Sequence, residues 1–238
     1  MSLSARYEDS AELLNELRDI SSKYSADARN QNKVTCHTNG QPSHESGSSV
    51  SGLLHQNEFL QKNHENRDLN QYWYSKLTID TLCDAIREST SISGDKRVAF
   101  LSTPSLYFSL SIDERENCSL FDCDASWSSC SGYYFYDYND PENIEESCHG
   151  QFDLVVIDPP FISQCVWELY AITAKLLLKG DASHVIATTV DENAVLMAAL
   201  FNCTPTLFRP SIPHLVYQYS VFANFPASAL AQKNLELQ

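Results

Sequence analysis

No stretch of this 238-residue chain approaches the ~18 consecutive apolar residues that a membrane span needs. No charged-then-apolar leader follows Met1 either. The expectation is therefore a cytoplasmic protein with no membrane contact. Basic residues are scarce, with 16 Lys and Arg against 31 Asp and Glu and a net charge of -15. A protein that grips a phosphate backbone does so chiefly with Lys and Arg, so this balance argues against nucleic acid as partner and favours a basic protein. Eight cysteines are present, but no two stand in a Cys-x-x-Cys pair and nothing places them in an oxidising compartment. Most should be free thiols, and no metal site is expected from the cluster of Cys118, Cys123, Cys130, Cys148 and His149. No internal repeat is visible.

The chain is 43% hydrophobic, enough for one sizeable core. Residues 1–26 include a segment, 10–20, with Leu13, Leu14, Leu17 and Ile20 at helical spacing behind a capping Ser10. Residues 27–60 are dominated by Ser, Asn, Gln, Gly and His; with so little apolar surface to bury, they are expected to be disordered. Residues 61–238 form the folded domain.

That domain is organised around residues 153–163, Asp-Leu-Val-Val-Ile-Asp-Pro-Pro-Phe-Ile-Ser. The run 153–157 is β-branched and apolar, as in a strand buried on both faces of a parallel sheet. Two prolines then force the chain out of the sheet in a stiff turn. Open α/β sheets bind their ligands at such carboxyl ends. The Asp158 carboxylate and the Pro159 carbonyl can accept from one amine, Pro160 stiffens the corner, and Phe161 offers a ring face beside it. An ordinary Pro-Pro turn would read the same way from these four residues alone.

Other strands are predicted at 98–102, 118–122, 132–137, 183–189, 206–209 and 215–223, the last two as an antiparallel hairpin. Helices are predicted at 78–88, with Ile79, Leu82, Cys83 and Ile86 inward, at 165–178 and at 191–201. Strands alternating with helices give an α/β fold with a mostly parallel seven-stranded sheet and helices on both faces. Asp122 ends the second strand, where an acidic side chain characteristically accepts from ribose hydroxyls. Asp137 ends the third. His184 and His214 are expected to be structural.

Four motifs occur together: Gln71-Tyr72-Trp73-Tyr74-Ser75, Ser102-Thr103-Pro104-Ser105-Leu106-Tyr107, Phe135-Tyr136-Asp137-Tyr138-Asn139 and Asp158-Pro159-Pro160-Phe161. In this order they resemble the lysine methyltransferases of eukaryotic elongation factor 1-alpha, a family formerly described as N6-adenine DNA methyltransferases. The resemblance implies a class I, Rossmann-like methyltransferase that uses S-adenosyl-L-methionine, acts as a monomer and takes elongation factor 1-alpha as its protein substrate. It places the cofactor against Ser102, Thr103, Pro104 and Ser105, with Ser105 capping the helix that follows. It also gives the ribose to Asp122, the adenine to Asp137 and Tyr138, and the reacting amine to Asp158. Tyr72, Trp73 and Tyr74 become part of a lid over the cofactor and, with Phe161, a lysine channel; equally, the three could pack one edge of the sheet. The chain lacks the Gly-x-Gly of most methyltransferases after the first strand, and carries Phe161 where the resembled family often has Tyr. Two other readings stay open: an adenine N6 methyltransferase, which would use the same tetrapeptide on a base, and a cofactor-binding scaffold without turnover.

Overall fold

The computed structural model describes residues 57–90, 95–180 and 182–237; the segment expected to be helical at 10–20 and nearly all of 27–60 lie outside them. The first described element is the short helix α1 (Glu58–Lys62), capped by the Asn57 side chain and anchored by buried Phe59. Residues 57–60 of the stretch expected to be disordered are thus described, and they contribute the cap and the start of this helix.

Seven strands build one sheet: β1 (Val98–Leu101), β2 (Cys118–Asp122), β3 (Tyr133–Phe135), β4 (Leu154–Ile157), β5 (His184–Thr189), β6 (Thr204–Pro205) and β7 (Ser220–Ala223). Their spatial order is β3-β2-β1-β4-β5-β7-β6. The first five run parallel, while β7 pairs antiparallel with both β5 and β6. This is the mostly parallel, seven-stranded architecture with a terminal antiparallel pair that the sequence predicts. Because the chain steps outward from β1 through β2 to β3 and then returns to the other side of β1, the crevice between the ends of β1 and β4 is a topological switch point, where α/β sheets hold ligands.

Alternation along β4 sends Val155 and Ile157 into one core and Leu154 and Val156 into the other. The first core is closed by α5 (Gln164–Leu177) and α6 (Ala194–Phe201), the second by α2 (Lys76–Thr90) and α3 (Pro104–Tyr107). Both faces are therefore covered, which is why β4 contains no polar residue at all. Ile79, Leu82, Cys83 and Ile86 all point inward from α2. Trp167, wholly buried in α5, is the largest side chain of the first core.

Several boundaries differ from the sequence reading, among them β3, which spans 133–135 instead of 132–137. The last two strands are shorter than predicted: β6 lies at 204–205 instead of 206–209, and β7 begins at Ser220 because residues 215–219 leave the sheet. Val216 and Tyr217, which extend the alternation of β7 in sequence, are 93% and 66% exposed. The helix expected to follow Ser105 is a single turn, α3, succeeded by α4 (Ile112–Arg115), which is opened by a capping box between Ser111 and Glu114. The seven described cysteines are free thiols. Cys118 and Cys148 belong to opposite cores, so the sheet separates them. His184 donates to or accepts from Ser89 Oγ at 2.6 Å and stacks on Phe225; His214 pairs with Glu65. No helix among the described residues is long and apolar enough to cross a membrane.

Gly132 precedes β3 at a point of close approach: a Cβ there would meet the Tyr107 hydroxyl at 2.4 Å and the Cys118 carbonyl oxygen at 2.9 Å. Gly132→Ala should cost roughly 1–3 kcal/mol of stability, read as a lower urea midpoint, because the carbonyl cannot move without disturbing β2. An unchanged midpoint would show that the β2–β3 edge yields.

Candidate active site

The cleft at the switch point is lined by the ends of β1, β2 and β4, by residues 69–73, and by the loop that leads into β7. Its floor is the Pro-Pro corner. The Asp158 N–H still donates to the Leu101 carbonyl at 3.2 Å, extending the β1–β4 pairing by one residue before the prolines end it. Pro159 is buried, and the Pro160 carbonyl accepts from the Asn70 side-chain amide. The corner is thus pinned from both directions.

Asp158 lies part-buried in this floor. Desolvation raises its carboxyl to about 7, against the pull of the Tyr74 and Thr188 hydroxyls, which lower it. The Tyr74 hydroxyl donates to Asp158 Oδ2 at 2.6 Å and lies 2.6 Å from Thr188 Oγ1. Buried and facing that carboxylate, the Tyr74 phenol is held well above its ordinary range and stays protonated. Tyr219, 8% exposed, also lines the cleft and is raised by burial and then by the Asp158 charge.

The opposite wall comes from β1 and β2. Ser102 follows β1 with φ +54°, a left-handed conformation that non-glycine residues seldom take. The backbone turns here as a glycine would let it, and the Ser102 hydroxyl is tied to Tyr170 Oη at 2.7 Å. Thr103 occupies the N-cap position of α3 but makes no capping bond; 2% exposed, its Oγ1 has no hydrogen-bond partner among the described residues. A buried hydroxyl left unpaired is costly unless something else supplies its partner. Asp122, 4% exposed at the tip of β2, has its carboxyl raised to about 7, first by desolvation and further by the Asp124 charge, while the Asp124 N–H bonded to Oδ1 pulls it down. Its second oxygen makes no hydrogen bond within the described residues.

Segment 65–75 bridges these walls. Glu65 accepts from the Trp73 N–H, and Gln71 donates to Asp124 Oδ2 at 3.0 Å. Asn70, at φ +53°, aims its amide at Pro160. Trp73 itself packs edge-on against Phe59 at 5.1 Å.

Of the residues singled out by sequence, Tyr72, Trp73, Ser102, Pro104, Asp122, Asp158, Pro159 and Pro160 line this one cleft. Thr103 stands between two of them. Tyr74 lies beneath the lining, bonded to Asp158. Ser105 is buried in the first turn of α3, with Thr103 at the cap in its place. Asp137 is exposed and spends Oδ1 on the backbone and side-chain N–H groups of Asn139, as a turn former does. Tyr138 stacks on Tyr170 at 5.9 Å, behind Ser102. Phe161, 43% exposed, is carried by the turn to the outer surface beyond the lining. Leu69, Asn70, Gln71, Cys123, Ile212, Leu215 and Tyr219 complete the lining, and of these only Gln71 stands in one of the four motifs. Asn70 immediately precedes the Gln71–Ser75 motif, but nothing in sequence ties residues 212–219 to a cleft built 60 residues earlier.

Residues 65–227 match the family model described as probable N6-adenine methyltransferase. The chain is similar to protein-lysine N-methyltransferase EFM5 of Saccharomyces cerevisiae, 30% identical over 185 residues that cover 69% of this chain and 74% of that protein. It is 31% identical over 172 residues to the Drosophila melanogaster protein-lysine N-methyltransferase CG9154, covering 68% and 76%. With human EEF1A lysine methyltransferase 1 the identity is 32% over 146 residues, covering 59% of this chain and 66% of the relative.

Asp122 supplies a test that needs no substrate. A buried carboxyl raised above its unfolded value contributes stability at low pH that is lost as pH rises toward 7. Asp122→Asn, which keeps the acceptor for the Asp124 N–H, should therefore stabilise the protein at pH 8 by on the order of 1 kcal/mol and give little gain at pH 4. Urea unfolding at the two pH values would check this; an equal effect at both would contradict the raised carboxyl.

Proposed function

This chain belongs to the methyltransferase family whose model covers residues 65–227, and from that premise we propose that its methyl acceptor is the ε-amine of a lysine on a folded protein, elongation factor 1-alpha. One observation carries the choice of acceptor. The described residues lining the cleft include two buried or part-buried carboxylates, Asp122 and Asp158, and no Lys or Arg. A phosphate backbone would meet negative charge there, whereas a lysine ammonium would be drawn in. The chain's net charge of -15 acts in the same direction over longer range. The relatives named as protein-lysine methyltransferases, one of them for elongation factor 1-alpha, agree with this reading.

S-adenosyl-L-methionine fits the opposite wall: unpaired Thr103 Oγ1, the strained Ser102 turn and the free oxygen of Asp122 would hold it, and when bound it supplies a methyl carbon activated by a positively charged sulfur. The chain's own task is to deliver an uncharged amine. A free lysine has a pKa of about 10.4, so deprotonation at pH 7.4 costs about 4 kcal/mol. Burial shifts lysines down by as much as 3–5 units, enough to cover that cost in an apolar channel walled by Tyr72 and Trp73. Asp158 first pairs with the ammonium. Once the ammonium has given its proton to solvent water, the Asp158 carboxylate and the Pro159 carbonyl accept the two remaining N–H groups and leave the nitrogen lone pair facing into the cleft. Fixing that direction is where the acceleration arises. Asp137, Tyr138 and Phe161 stand further out: Tyr138 through Tyr170 behind Ser102, and Phe161 at the rim where a substrate chain would pass. We place the protein in the cytoplasm, acting as a monomer.

An adenine N6 transfer would use the same corner, and a scaffold would bind the donor without turnover. Incubation with radiolabelled donor and recombinant elongation factor 1-alpha, against DNA and RNA oligonucleotides, separates the three. Label is expected on the protein; label on nucleic acid alone would defeat the lysine reading. Asp158→Ala should lower transfer at least ~100-fold while leaving donor affinity within about twofold. Loss of donor binding in that variant would show that Asp158 serves the other wall.

A further inference from the structure

Tyr74 belongs to none of the cleft's lining, yet its hydroxyl donates to Asp158 Oδ2 at 2.6 Å. The direction of that contact follows from chemistry. An ionised carboxylate only accepts, so the phenol donates to Oδ2; its oxygen then accepts, and Thr188 must be the donor in the second contact. Thr188, at 2% exposure near the end of β5, and Tyr74, also at 2%, form a buried relay of two hydroxyls that ends on one carboxylate oxygen. We propose that Tyr74, oriented by Thr188, is a positioning residue: it occupies Oδ2 of Asp158 and fixes the plane of the carboxylate so that Oδ1 is presented to the acceptor amine.

This inference rests on the amine-holding role given to Asp158 above. The terminal torsion of an aspartate is broad and roughly two-fold, so backbone rigidity alone does not set the plane of its oxygens. The Pro-Pro corner fixes where the side chain starts; something must fix where it ends. Two linked hydroxyls in a low-dielectric interior do so more firmly than one. They also lower the carboxyl that burial has raised, keeping part of the population ionised near neutral pH. The groups that face Asp158 are the hydroxyls of Tyr74 and Thr188 and the phenol of Tyr219 across the cleft; Asp122 occupies the far wall. No cation is among them, so the hydroxyl relay is what holds the charge.

The test uses the full chain with Tyr74→Phe, which retains the ring's place in the core, and Thr188→Val, which removes only the outer hydroxyl. Two readouts are taken: steady-state transfer to the protein substrate with donor affinity, and titration of the Asp158 carboxyl by carbon-13 NMR in the absence of substrate. Tyr74→Phe should lower kcat roughly 10- to 100-fold with donor affinity within about twofold. It should also move the Asp158 midpoint to higher pH, since the lost bond favoured the charged form. Thr188→Val should do both in the same direction and less. A folded Tyr74→Phe protein with wild-type kcat and an unmoved midpoint would overturn the proposal; should that variant fail to fold, an unmoved midpoint in Thr188→Val does the same. A shifted midpoint in a protein that methylates no lysine would instead sink the substrate reading and leave the role of Tyr74 standing.

Discussion

A negative charge held where water has been partly removed is the constraint around which this molecule is arranged. Asp158 sits at the end of a strand whose four residues, Leu154–Ile157, are all buried. The two prolines after it deny the carboxylate the nearby N–H donors that would ordinarily surround it. Desolvation therefore works against the charge, and only the hydroxyls of Tyr74 and Thr188 work for it. A carboxylate so placed favours a cationic or N–H-bearing partner, the place that the proposed function gives to an arriving amine.

The second organising feature is the strap formed by residues 65–75. It touches every element that matters: the β2 tip through Gln71 and Asp124, the Pro-Pro corner through Asn70, Asp158 through Tyr74, and the 210–219 loop through Glu65 with His214 and the Ser75 N–H with the Ser211 carbonyl. Among the described residues, two of the three non-glycine residues with positive φ, Asn70 and Ser102, stand at this cleft. Strain of that kind persists only where surrounding contacts over-determine it, and it gathers at functional sites. Ser102 answers the question of how a chain without Gly-x-Gly turns after its first strand: a serine takes the left-handed conformation and is locked there by Tyr170.

The sheet's centre was legible because its signal is redundant. Apolar runs at 98–101 and 154–157, and one at 118–121 broken only by Ser119, each ended by a polar or proline-bearing turn, admit little besides buried parallel strands. Asp122 and Asp158 were legible for the same reason, as single acids closing such runs. Elements whose form depends on tertiary partners were harder to read. Residues 215–223 alternate like one long strand, but the first five are drawn away to wall the cleft with Leu215 and Tyr219. Asp137 looks in sequence like a ligand at a strand end, and the local turn in which its Oδ1 accepts from Asn139 leaves no separate mark in the sequence. Thr188 carries no local mark at all: one of two threonines in β5, it meets the Tyr74 hydroxyl only because the parallel pairing of β4 with β5 and the strap above bring them together.

The most direct measurement is a crystal structure of the protein with demethylated donor, S-adenosylhomocysteine, and a lysine peptide from elongation factor 1-alpha. The account predicts the ε-nitrogen within about 3.2 Å of both Asp158 Oδ1 and the Pro159 carbonyl oxygen, its carbon chain passing between Tyr72 and Trp73. A lysine seated against Asp122, or a nitrogen that reaches neither acceptor of the proline corner, would contradict it.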